Sequence, residues 1–344
     1  VITAAFCRKL ATNESQHGWA ARLRSKAGVL LVFITLIPFL NLGSPSSHPL
    51  SRQGPSSGNV LTADATLVIL PVAVRDRRGK FVSGLDKSNF QVYEDKKPQP
   101  VSLFQHEDVP ATVGLVVDHS GSMAARRLQV IEAAQAFVQV SNPQDHEFVV
   151  NFSNSVALGL PTNVAFTNDV TVLLSALSTP TAGGQTALYD ALLVAMHHIQ
   201  KAPDKKALLL ISDGGDNASH HKFPDVLRAA QESNITIYAI GLFDENSADQ
   251  NPQALKKLAD ETGGRVYLPN SFAQLLDSAR EIAADIRHQY TLGYSPPDPN
   301  RSGYRKVRVT VSAPRQGKLY VRTRAGYFLP SRTAPASAAT NGSE

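Results

Sequence analysis

Thr112-Val113-Gly114-Leu115-Val116-Val117-Asp118-His119-Ser120-Gly121-Ser122 is the stretch on which the fold of this 344-residue chain turns. An apolar run stops abruptly at a carboxylate followed by two hydroxyls. Short apolar strands of this kind recur at Phe148 to Phe152, Val156 to Leu160, Ala207 to Ile211, Ile235 to Ile240 and Arg265 to Leu268. Helix-like segments alternate with them, at Ala124 to Val140, Val170 to Leu177, Ala187 to Gln200, Phe223 to Glu232, Pro252 to Thr262 and Phe272 to Arg287. Strand and helix in turn predict an α/β fold, a doubly wound, mostly parallel sheet with helices on both faces. In such sheets ligands gather at the carboxyl ends of the strands.

Three loops would then carry oxygen donors to one edge. Asp118, Ser120 and Ser122 form an Asp-x-Ser-x-Ser motif after the first strand. Thr186 opens a helix behind Gly183-Gly184, and Asp213 follows the apolar strand Ala207 to Ile211. Two carboxylates and three hydroxyls form a donor set for a hard divalent cation; magnesium in particular takes few carboxylates and retains water. Asp-x-Ser-x-Ser alone is a weak signal, and the joint placement of all three loops makes it specific. The competing reading is that these residues only cap the following helices, as Ser122 could for a helix starting at Ala124. Asp216 is read either as a support for the metal ligands or, in preference, as a simple loop carboxylate.

The section from Thr112 to about Arg287 resembles a von Willebrand factor type A domain. The text Thr186-Ala187-Leu188-Tyr189-Asp190-Ala191-Leu192 and Ile211-Ser212-Asp213-Gly214 is similar to that family, and Asp118, Ser120, Ser122, Thr186 and Asp213 match all five positions of its metal site. The resemblance implies a bound Mg2+ or Mn2+ whose coordination is completed by an Asp or Glu carboxylate of a partner protein. It implies adhesion-type binding and no catalysis. Asn89-Phe90-Gln91-Val92-Tyr93-Glu94-Asp95 and Tyr327-Phe328 resemble a group of exported bacterial relatives with β segments on both sides.

A magnesium-dependent hydrolase or phosphoryl-transfer enzyme is the rival from another class. The chain has no Gly-x-Ser-x-Gly elbow and no Gly-x-x-x-x-Gly-Lys phosphate loop. His197-His198 and His220-His221 are adjacent pairs, unlike the i, i+4 spacing of a helical zinc site, and are expected to face solvent. A third reading is an assembly subunit of an envelope complex that docks through the same site.

Outside this section the periodicity changes. Residues 63–108 alternate apolar and polar around charged turns, at Arg78-Gly79-Lys80 and Glu94-Asp95-Lys96-Lys97, and read as a small antiparallel unit. Residues 289–330 hold further strand-like text, at Tyr290 to Tyr294, Tyr304 to Val311 and Lys318 to Phe328. The two segments are expected to pair into one sheet beside the α/β domain of 109–288, because isolated ribbons are marginal in water. Arg301, Arg305, Lys306, Arg308, Arg315, Lys318, Arg322 and Arg324 are expected on the wet face of strands, following the alternation Lys306-Val307-Arg308-Val309.

Composition narrows the class. The net charge of +5 comes mostly from the first 26 residues, where Arg8, Lys9, Arg22, Arg24 and Lys26 stand against Glu14. A near-neutral remainder argues against a nucleic-acid partner. Cys7 is the only cysteine, so neither an intramolecular disulfide nor a cysteine-rich zinc site can form. Residues 1–43 combine this basic lead with the apolar run Ala27 to Leu42, the pattern of a signal peptide or a retained anchor. This pattern places the chain after Leu42 outside the cytoplasm, in the periplasm, at the cell surface or secreted. Residues 44–62 read as a Ser/Pro/Gly linker and 331–344 as a disordered polar tail.

Overall fold

A computed structural model describes residues 67–106, 109–180, 183–203, 205–243 and 249–330. The expectations for the apolar run at 27–42, the linker and the tail lie outside these residues.

The strand ending at Asp118 spans Ala111–Asp118, and every one of its residues is buried. It is the fifth in chain order, after β1 (Val68–Arg75), β2 (Phe90–Glu94), β3 (Lys97–Gln99) and β4 (Leu103–Gln105). From β5 the chain runs through α1 (Arg127–Val140), β6 (His146–Phe152), β7 (Val156–Leu158), α2 (Val170–Ser178), α3 (Leu188–Ile199), β8 (Lys205–Ser212), α4 (Phe223–Glu232), β9 (Thr236–Gly241), α5 (Pro252–Thr262), β10 (Val266–Tyr267) and α6 (Phe272–Arg287). These strands form one six-stranded sheet in the order β10-β9-β8-β5-β6-β7. Only β7 is antiparallel to its neighbour. Helix α1 packs against α2 and α6, and α4 against α3 and α5, giving two helical layers over a core of Val, Leu, Ile and Phe side chains. The expected α/β architecture is therefore what forms. Strand order reverses at β5, whose neighbours β6 and β8 lie on either side, and a crevice at that reversal is where such sheets bind ligands.

The flanking segments do pair, but into two sheets instead of one. β1 pairs with β11 (Tyr290–Tyr294) and with β13 (Tyr320–Arg322), in the order β13-β1-β11-β4. The other sheet runs β14-β12-β2-β3, with β12 spanning Gly303–Val311 and β14 Gly326–Leu329. Val68, Leu70, Val72, Phe90, Val92, Tyr290, Leu292, Val307 and Val309 share one apolar cluster between them. Two facing sheets bury the apolar alternate residues of both, which a single sheet would leave exposed on one side.

The strand expected from Lys318 to Phe328 is broken at Thr323–Ala325, where the chain passes from one sheet to the other. Arg324 is buried at this corner and donates to the carbonyls of Gly326, Ser233 and Gln231. Arg305 is buried too, on the inner face of β12, beside Glu94. The wet-face expectation thus holds for Lys306 and Arg308, which are exposed, and fails for Arg305 and Arg324, whose partners come from distant parts of the chain. The turn expected at 94–97 is the pair Asp95-Lys96, both at positive φ, and Lys97 already belongs to β3. Pro98 is tolerated there because β3 is an edge strand.

Candidate metal centre

Asp118 closes β5 and is 1% exposed. Its Oδ1 accepts the Ser120 N–H at 2.9 Å, which folds the next residues back over the strand end, and its Oδ2 accepts the Ser212 hydroxyl at 2.6 Å. Ser120 and Ser122 lie with their Oγ atoms 3.2 Å apart. Asp213, 3% exposed, follows Ser212 at the end of β8, and its Oδ1 accepts the Gly215 N–H at 3.0 Å.

Thr186 arrives on a third loop, stitched to the first by backbone bonds from Gly121 N to Gly184 O (2.9 Å) and from Gly183 N to His119 O (2.8 Å). Its amide donates to Asn217 Oδ1 at 2.8 Å, and its carbonyl accepts from the amides of Asn217 and Ala218, tying it to the loop after Asp213. Two glycines permit these close approaches. Gly184 has φ +83°, and a Cβ there would lie 2.7 Å from Asn154 Oδ1; Gly214 has φ +79°, and a Cβ there would lie 2.6 Å from the Asn251 carbonyl. All five residues picked out from the sequence thus come to the carboxyl edge of the sheet at the reversal of strand order.

The capping alternative fails for the hydroxyls. Ser120 stands at the N-cap of the 3-10 turn Gly121–Arg126 without a side-chain cap bond, and the N-cap residues of α1 and α3 are Arg126 and Ala187, which make none either. Capping of α3 falls instead to Asp216, whose Oδ1 accepts the Tyr189 N–H (3.1 Å) and the Ser219 hydroxyl (2.6 Å). Burial raises the Asp216 carboxyl above its ordinary range.

Electrostatics favour a cation. Burial, opposed by the hydrogen bonds of Ser120 and Ser212 and reinforced by the charge of Asp213, pushes the Asp118 carboxyl up to about 6. No Lys or Arg among the described residues pairs with Asp118 or Asp213. Two buried carboxylates and three hydroxyls not engaged in helix capping, those of Ser120 and Ser122 lying 3.2 Å apart, fit a hard divalent ion of the magnesium kind. The set holds only two acidic side chains, and among the described residues no group of three or more His, Cys, Asp or Glu is placed to hold a metal.

Sequence reading missed Ser212 and Asn217, which hold Asp118 and Thr186; the signal available was only their adjacency to Asp213 and Asp216. His119 is not aimed as a base. Its Nε2 lies 2.9 Å from Asn151 Oδ1, whose Nδ2 donates to Ala176 O, and burial lowers its basicity. His197, His220 and His221 are exposed as expected. His198 is not fully so: its ring packs on Phe148 and Phe166, and its Nε2 lies 2.8 Å from Ala165 O.

The von Willebrand factor type A domain model matches residues 113–281. Among solved structures, a von Willebrand factor type A protein of Catenulispora acidiphila is similar at 15% identity over 78% of this chain and 74% of its own, with a TM-score of 0.46. The hypothetical protein BatB of Bacteroides thetaiotaomicron is similar at 17% identity over 51% of this chain and 98% of its own, with a TM-score of 0.42. Proximal thread matrix protein 1 of the mussel byssus, with a zinc-occupied MIDAS motif, is similar at 17% identity over 56% of this chain and 49% of its own, with a TM-score of 0.45. No curated protein matches. Residues 113–281, with the six-stranded sheet and the loops that converge at its edge, are a von Willebrand factor type A domain.

Proposed function

We propose that this chain is a metal-dependent protein-binding module, without catalytic activity, that captures a carboxylate of a partner protein. The observation that carries this reading is the meeting of Asp118, Ser120, Ser122, Thr186 and Asp213 at the edge of β5 and β8, with three hydroxyls not spent on helix capping. These five residues would hold Mg2+, or Mn2+ in its place. The ion would supply an electrophilic position open to an outside Asp or Glu. The protein's own part is to bury and orient the donors: Ser212 directs one carboxylate oxygen of Asp118, and Asn217 holds the loop of Thr186. The basic and apolar pattern of residues 1–43 supports a place outside the cytoplasm, with the segment at 27–42 as a signal or anchor. No helix among the described residues is long and apolar enough to cross a membrane.

Calorimetric titration of Mg2+ and Mn2+ into the chain and its Asp118→Ala variant tests the reading. Saturable binding that the variant loses is expected, and no saturable binding by the wild-type chain would overturn it. Docking onto a fixed neighbour within an envelope complex is the alternative use of the same site. A pull-down from envelope fractions with and without chelator separates the two, since a fixed neighbour would be recovered in stoichiometric amount.

A further inference from the structure

Half of β12 has an open edge. On one side the strand pairs with β2 along Val307–Val311; on the other, β14 accompanies it only from Gly303 to Lys306. A last bond runs from the Val307 amide to the Ala325 carbonyl, beyond which the chain linking β14 to β13 crosses to the other sheet. The Lys306 carbonyl and the Ser312 amide bond to Asp95 and Asn89 on the β2 side. Backbone groups alternate in direction along a strand, so those of Val309 and Val311 point the opposite way. Among the described residues no strand pairs with them there, since β13 is hydrogen-bonded to β1.

A groove of about 530 Å³ follows this edge, with Val307 to Val311 on one wall and Leu319 and residues 321–325 on the other. That volume lies within the ~300–1,000 Å³ range of ligand pockets. Val311, Leu319 and Val321 are only partly buried, packed at the rim of the apolar cluster between the two sheets. The edge from Val307 to Val311 spans about 16 Å at ~3.3 Å per residue, so a segment of about five residues fills it. Every second side chain of such a segment would cover the apolar rim.

The outer face beside the groove is basic. Lys306 and Arg308 on β12 and Lys96 in the turn before β3 are exposed, and their side chains have no ion pair or hydrogen bond among the described residues. Asp95, which lines the same face, is taken by Arg301. Pairing two copies of the chain through this edge would gather the cations of both on one face, which like-charge repulsion opposes. A polyanion without a peptide backbone would meet the cations but leave the amides and carbonyls of Val309 and Val311 unpaired. Residues 331–344 hold a single acid, Glu344, and no large apolar side chain.

We infer that the open edge of β12 takes an extended segment of another protein as an added strand, one in which Asp or Glu alternates with Val, Ile or another large apolar residue. Its backbone pairs with Val309 and Val311, its carboxylates meet Lys306 and Arg308, and its apolar side chains close over Val311, Leu319 and Val321. This surface goes beyond the metal-dependent reading, because it belongs to a different sheet from the candidate metal centre and uses no metal.

The test is fluorescence anisotropy of the full chain, in chelator, with the labelled heptapeptide Glu-Val-Glu-Val-Glu-Val-Glu. Saturable binding is expected, at least about tenfold tighter than that of the block peptide Glu-Glu-Glu-Glu-Val-Val-Val, which has the same charge and composition. N-methylation of one alternate set of residues should abolish binding and N-methylation of the other set should leave it, because only every second backbone amide of an added strand faces its neighbour. The exposed double variant Lys306→Glu/Arg308→Glu should weaken binding by about tenfold or more, with a thermal melt to check its fold. Absence of binding, equal binding of the alternating and block peptides, or equal effects of the two N-methylated sets would overturn the added strand. So would polyphosphate binding as tightly as the peptide, the mark of a plain basic patch, or a chain that self-associates in sedimentation and ignores the peptide. Binding seen only in magnesium and lost in Asp118→Ala would place the peptide at the metal centre and overturn this inference while supporting the metal reading.

Discussion

Ser212 donates its hydroxyl to Asp118 Oδ2 at 2.6 Å across the boundary between β8 and β5. The same Ser212 oxygen accepts the Gly214 N–H at 2.9 Å, so one side chain fixes both a ligand carboxylate and the start of the Asp213 loop. Residues that orient a metal ligand without touching the ion typically change affinity by about 10- to 100-fold when removed. Ser212→Ala is therefore expected to weaken Mg2+ binding by about that factor while the chain stays folded, as read by calorimetric titration beside a thermal melt. Affinity equal to wild type would show that Asp118 needs no such support.

Gly214 sits at φ +79° with the Asn251 carbonyl against it. A side chain at positive φ costs about 1–2 kcal/mol, before any clash is counted. Gly214→Ala should lower stability by at least that amount in denaturant unfolding and displace Asp213, weakening metal binding as well. Loss of stability with unchanged metal affinity would show that the loop yields without moving the carboxylate.

Glu147 lies at the opposite end of the sheet, 3% exposed, with Oε1 lacking a partner among the described residues. Burial raises its carboxyl to about 7, with Ser141 opposing and Asp145 adding to the shift. The folded chain therefore holds this proton to higher pH than the unfolded chain does. Its stability contribution is fully present below pH ~4.5 and is lost as pH rises through about 7, by about 3 kcal/mol at ~1.36 kcal/mol per unit. Glu147→Gln should flatten that part of the pH–stability curve in urea unfolding between about pH 4.5 and 8. A slope equal to that of the wild type would mean that Glu147 ionises without penalty.

Glu94 is buried between the two flanking sheets and accepts from Arg305 (3.0 Å), the Tyr294 hydroxyl (2.7 Å) and the Tyr327 hydroxyl (2.7 Å). Removing one member of such a pair strands the other charge, at about 3–5 kcal/mol, whereas replacing both is far milder. Arg305→Met should destabilise by about that amount, and the double variant Arg305→Met/Glu94→Gln should recover much of it. A double variant no more stable than the single one would place the cost in lost packing.

Features with local causes were legible in the sequence. The apolar run into Asp118 reads as a buried strand because both faces of β5 are covered, and helices α1 to α6 follow from spacing and from breakers such as Pro252 and Gly263. Asp118 and Asp213 stood out because strand ends in a parallel sheet face one edge, a rule of topology, and Thr186 because it opens a helix behind Gly183-Gly184. Only the tertiary structure decided the features that depend on distant partners. Arg305 looks like any strand-surface cation until Glu94 lies beside it, and Glu147 like any surface acid until Thr167 pairs with its backbone. One run of text from Lys318 to Phe328 divides between two sheets because Arg324 finds carbonyls on α4 and just beyond it. Sequence periodicity records which side of its own element a residue faces. Which charges are buried, and which hydroxyl holds a ligand in place, is set by pairings across as many as two hundred and thirty-three positions, as between Glu94 and Tyr327, and chain connectivity does not encode these locally.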